Sequence, residues 1–141
     1  MNFLSQKIFS LFVVLFAINA IKAQTKVIHT GEPFVIMQGT EVYIEGSLET
    51  TAPQNTNFLI GNNGAIFIKD SLINNGGNRI FGNNTQINSS RGKVVFNGAL
   101  AQLITGLDTI NLKQVEITNP TSVTVSQTIT IDSTFEFILG N

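Results

Sequence analysis

The chain has 141 residues, enough for one ordinary domain and too few for two comfortable ones. Charged residues make up 12% and apolar residues 43%, which excludes a disordered tail, since that needs few hydrophobes and a large net charge. With no cysteine, one histidine (His29) and a formal net charge of −1, disulfide frameworks, thiolate nucleophiles and cysteine-ligated metals are ruled out.

Met1 to Ala23 reads as a secretory signal peptide. Lys7 supplies the positive start, and Ile8 to Ile18 is a run of 11 residues, apolar apart from Ser10. That is well short of the roughly 20 residues that cross a bilayer as a helix. Ala23 is the preferred residue before the cut and Gln24 the first after it, with Ala20 as the fallback. A retained anchor or a buried helix is the alternative. Removing the leader leaves 118 residues, with six positive charges against nine carboxylates, a net −3. No basic stripe exists for nucleic acid. No transmembrane span is expected in the mature chain.

Residues 24–41 read as an N-terminal strand or cap region, and 42–141 as repeats. Four segments superimpose: VYIEGSL from Val42, IFIKDSL from Ile66, VVFNGAL from Val94 and VTVSQTI from Val123, at spacings of 24, 28 and 29 residues. LIGNN at Leu59 and IFGNN at Ile80 echo each other, and Gly39, Gly64 and Gly92 precede the first three copies. With a strand period of two, Val42, Ile44 and Leu48 share a face, as do Ile66, Ile68 and Leu72, then Val94, Phe96 and Leu100, then Val123, Val125 and Ile129. The same face is interrupted at Gly46, Asp70, Gly98 and Gln127, residues suited to corners. Outward positions are mixed, with Glu45, Lys69, Asn97 and Ser126 beside the apolar exceptions Tyr43 and Phe67.

From Val123 to Phe137 the alternation runs for 15 residues, too long for an ordinary strand of about 5–6 residues. Gln127 and Ser133 are the expected cuts. Phe58 to Gly98 holds nine Asn and seven Gly, which supply turns, with Ile60, Ile66, Ile68 and Leu72 threaded between them. No helical period survives in the mature chain. The expected fold is all-β, a β-solenoid of four or five coils.

GKVVFNGALAQLITG from Gly92 and LKQVEITNPTSVTVSQTITI from Leu112 resemble a repeat of large secreted Bacteroidetes-type cell-surface proteins. Val94, Phe96, Gly98, Gln102, Ile104 and Gly106 fill the first part of that pattern; Leu112, Val115, Ile117 and Asn119 fill the second, and Val123, Thr124 and Val125 the third. The resemblance covers about residues 39–141. It implies an adhesin-like or filamentous role at the outer membrane or outside the cell. Members of that group carry further repeats and a C-terminal sorting domain, so this chain is expected to continue or to associate end to end through Phe135, Phe137, Ile138 and Leu139. The resemblance also implies O-glycosylation at Asp-Ser/Thr pairs, here at Ser71, Thr109 and Ser133; turn-making by the same pairs is the plainer reading.

Catalytic chemistry finds little to use. A triad would have to recruit His29, expected as a solvated residue of a starting strand, and no G-x-S-x-G elbow is present. Glu41, Glu45 and Glu49 are the one acidic cluster, and the alternation puts them together on a solvated side, whereas glycoside hydrolysis wants two opposed carboxylates. GNNG at Gly61 and GKV at Gly92 lack the Lys-Ser/Thr of a phosphate loop. No catalytic residue, cofactor or metal is assigned. The expected function is a non-enzymatic, secreted or surface structural module of adhesin type, with extracellular glycans or other surface proteins as partners. The alternative is a β-helical carbohydrate-binding or polysaccharide-degrading protein without its active part here. A surface binder using Thr124, Thr128 and Thr130 fares worse, because equivalent positions hold Glu45, Lys69 and Asn97.

Overall fold

A computed structural model describes residues 25–32, 34–51, 60–76, 80–81 and 92–138. The leader and the cleavage pair Ala23 and Gln24 lie outside the described residues. Twelve strands follow one another: β1 (Lys26–His29), β2 (Phe34–Ile36), β3 (Glu41–Ile44), β4 (Ser47–Thr50), β5 (Ile60–Asn62), β6 (Ala65–Ile68), β7 (Leu72–Asn74), β8 (Lys93–Phe96), β9 (Gln102–Gly106), β10 (Ile110–Ile117), β11 (Val123–Val125) and β12 (Ile129–Phe137). Among the described residues there is no helix.

Every strand pairing is parallel. One five-stranded sheet runs β1-β4-β7-β9-β11, a second runs β3-β6-β8-β10-β12, and a third pairs β2 with β5. Parallel neighbours cannot be joined by a tight hairpin. Here the return path between them is the rest of the coil, so the chain winds as a β-solenoid, passing each large sheet five times.

Winding in register stacks like on like. Val42, Ile66, Val94, Val115 and Phe135 form one inward column of the second sheet, and Ile44, Ile68, Phe96, Ile117 and Phe137 form the next. In the first sheet Val27, Leu48, Leu72, Ile104 and Val125 do the same. Members with a rung on both sides are buried, at 0% exposure for Leu48, Ile66, Ile68, Leu72 and Phe96. Each such side chain contributes about 1.5–3 kcal/mol of apolar burial. The last rung has a neighbour on one side, and Val125, Phe135 and Phe137 are 43%, 47% and 63% exposed.

The fourth repeat needs re-aligning. Val123 belongs to the first sheet, where it pairs with Gln102, so it is not the counterpart of Val42. Val115 and then Phe135 continue that column. Alternation looks the same on every side of a coil, which is why sequence alone misplaced it. Leu100 is also corrected: it is 78% exposed, and Ile104 takes the place beside Leu72. The corner between β8 and β9 is longer than that between β6 and β7 and carries Leu100 outward. Of the two expected cuts in the last stretch, Gln127 does separate β11 from β12. Ser133 lies within β12, where the register against β10 shifts between Leu112 and Gln114.

The corners follow the pattern of the first three copies. Gly46, Asp70 and Gly98 each connect the second sheet to the first. At Gly98 the coil beside it comes so close that a Cβ would sit 2.2 Å from the Lys69 carbonyl oxygen. The buried Gln102 amide ties this corner down, donating through Nε2 to the Ile68 and Asp70 carbonyls (2.7 and 2.9 Å) and accepting the Gly98 N–H at Oε1 (2.9 Å).

Candidate functional site

The residues singled out from sequence do not converge. His29 is buried rather than solvated: one ring nitrogen lies 2.7 Å from the Glu32 carbonyl oxygen and the other 3.3 Å from the Thr50 hydroxyl. A carbonyl only accepts, so the nitrogen facing Glu32 carries the proton. The next coils place Thr50 and Asn74 in the same inward column, a polar lining at that corner. The Glu41, Glu45 and Glu49 side chains are taken separately: Glu41 accepts from the Tyr43 hydroxyl, Glu45 from Lys69, and Glu49 from Lys26 and Asn75. Among the described residues no group of three His, Asp or Glu side chains could hold a metal ion.

Of the three Asp-hydroxyl pairs, two occupy corners. Ser71 is half-buried and donates to Asp70 (3.2 Å), and the Thr109 N–H donates to Asp108 (2.7 Å). Ser133 is exposed on β12 with Thr134 as its neighbour. The first two fit turn-making geometry.

A concave feature lies among the described residues. A groove of about 290 Å³ opens on the outer side of the second sheet, at the start of β3, β6 and β8 and beside the middle of β10. Its axis crosses the strands: Glu41, Ala65, Lys93 and Gln114 are register partners on β3, β6, β8 and β10 and line it in that order. At the ~4.8 Å spacing of neighbouring strands, the first and last lie about 14 Å apart along the stack. Gly39, Gly64 and Gly92, the glycines noted before the first three copies, line it together with Ala65. Gly64 has no alternative: a Cβ there would lie 2.1 Å from the Thr40 carbonyl oxygen and 2.7 Å from that of Met37.

The floor is held from beneath. Asn62 is 2% exposed, accepts the Gly64 N–H at Oδ1 (3.1 Å) and donates through Nδ2 to the Lys93 carbonyl (3.1 Å). Both ends of that amide are used, so adjacent coils are stitched together under the groove. On the walls, Lys93 pairs with Glu116, and Glu41 accepts a 2.7 Å bond from Tyr43. That bond, foremost, holds the Tyr43 phenol above its ordinary value by favouring the protonated form. Tyr43 stacks on Phe67 beside the groove, ring centroids 4.5 Å apart and nearly parallel. The Gln114 side-chain amide takes no partner among the described residues.

Sequence reasoning found the glycines and Glu41 but not the groove. Lys93 and Gln114 lie inside the quoted motifs without filling a pattern position, and they become neighbours of Glu41 only through stacking. No family model, curated protein or solved structure matches the chain.

Proposed function

We propose that the chain is a non-enzymatic, secreted or cell-surface structural module of adhesin type. The observation that carries this reading is how the outer charges are spent. Lys26–Glu49, Lys69–Glu45 and Lys93–Glu116 each join neighbouring coils, so charge is used to lace the stack rather than to converge on a substrate. The apolar run at Ile8 to Ile18 and the resemblance of residues 39–141 to surface-protein repeats support export. Coils that bury their apolar faces only against one another make an extended scaffold by addition. Axial stacking of a further coil, or of a second copy, on the face bearing Phe135 and Phe137 belongs to the same reading.

The test is expression of the full chain in a Gram-negative host with an intact export pathway. Mass spectrometry should find an exported product beginning at Gln24. A cytoplasmic product retaining Met1 to Ala23 would remove the basis for this reading.

A further inference from the structure

We propose that the groove across β3, β6, β8 and β10 binds a neutral oligosaccharide lying along the solenoid axis. This site is additional to the structural role, and its test does not depend on where the protein is exported.

Shape and floor come first. The groove runs across four consecutive coils without interruption, so it suits an extended chain ligand. Its volume of about 290 Å³ lies near the lower end of small-molecule sites, which run from about 300 Å³ upward. The buried Asn62 fixes the floor through one donated and one accepted bond, so a ligand does not have to order it on binding.

Chemistry selects the ligand class. The Lys93 ammonium is paired with Glu116, which leaves the Glu41 carboxylate, two strands away across Ala65, as a single negative charge, so the groove carries no strong field and offers an anion no free cation. An anion or a metal ion would find one countercharge and no converging set. What the walls offer is a mixture: the amide of Gln114, which has no partner among the described residues, the Thr40 hydroxyl, the remaining Glu41 lone pairs and the remaining Lys93 protons. Sugar hydroxyls donate and accept at once and match such a mixture. Tyr43 and Phe67 stack on each other beside the groove and do not line it, so affinity rests on hydrogen bonds in the groove rather than on ring stacking.

The experiment is isothermal titration of the full chain with cellohexaose, xylohexaose, mannohexaose and hexagalacturonate. At least one neutral hexasaccharide should bind with Kd below about 1 mM. Ala65→Tyr, which fills the groove from its outward-facing floor, should abolish that binding. Gln114→Ala should weaken it by about tenfold, the loss of one hydrogen bond. Far-UV circular dichroism checks both variants; if Ala65→Tyr does not fold, Gln114→Ala alone decides. Absence of binding by every neutral sugar, binding only of hexagalacturonate, or unchanged affinity in the folded variants would overturn the assignment.

Discussion

The early and late coils solve the same problem with different residues. Up to β9, most corners rely on close approach, the Asp70 corner excepted: Gly98 and Gly64 stand where a Cβ would collide with a carbonyl of the neighbouring coil. After Gly106 the described chain has no glycine. There the turn into β11 is made by Asn119, whose Oδ1 accepts the Thr121 and Ser122 N–H groups and whose Nδ2 donates to the Leu100 carbonyl. Strand lengths differ in parallel. Early coils have strands of three to five residues separated by turns, whereas β10 and β12 run for eight and nine. Only Gln114–Ile117 of β10 meets β8, while Ile110–Leu112 pairs with β12 alone. By its place in the coil, that first half takes the side that β2 and β5 form earlier. A corner can thus be made by removing a side chain or by supplying one with the right hydrogen bonds.

The sharpest way to break this contrast is substitution at the glycine corners. Gly98→Val and Gly64→Val should each destabilise by about 4 kcal/mol, because backbone of the next coil must move. Asn97→Val, one residue away, should cost under about 1 kcal/mol, since Asn97 Oδ1 is buried with no partner among the described residues. Equal shifts in denaturant midpoint at positions 97 and 98 would disprove the corner assignment.

Next in size is Gln102→Leu, which strands the Ile68 and Asp70 carbonyls and the Gly98 N–H. We expect a loss of about 3 kcal/mol by urea titration. A late corner should respond the opposite way to an early one. Asn119→Gly, harmless if late corners also depended on backbone freedom, should cost about 1.5 kcal/mol through its lost side-chain bonds. A neutral or stabilising outcome would merge the two classes.

The smallest effect is on pH dependence. Glu49 is held below the ordinary carboxylate range, by Lys26 first and by Asn75 second. A depressed carboxyl supplies stability that is complete above its unfolded value and is lost as pH falls through the folded one. The denaturant midpoint of the parent should therefore drop more between about pH 5 and pH 3 than that of Glu49→Gln. Identical slopes would mean that this early-coil ion pair contributes nothing.

Much of the architecture is legible in the sequence. Val42, Ile66 and Val94 announced a shared column, and Gly46, Asp70 and Gly98 announced corners, because both depend on local features: side-chain alternation and tolerance of a turn. The echo of LIGNN and IFGNN was also sound, since Ile60 bridges to Phe81. The candidate groove was not legible. Glu41 and Gln114 are far apart in the chain, and nothing in either segment refers to the other.

By itself, then, the sequence determined that the described repeats are β, where their first corners fall and which residues of β3, β6 and β8 face inward. The tertiary structure decided that Val123 and Val42 lie in different sheets, that Ile104 rather than Leu100 enters the core, and that His29 is buried. It also decided that Glu41, Ala65, Lys93 and Gln114 share one groove. The physical reason is that period two belongs to a single strand and is the same on every side of a coil. Register between coils is set by corner length and by the packing of whole columns, and neither is written in any one strand.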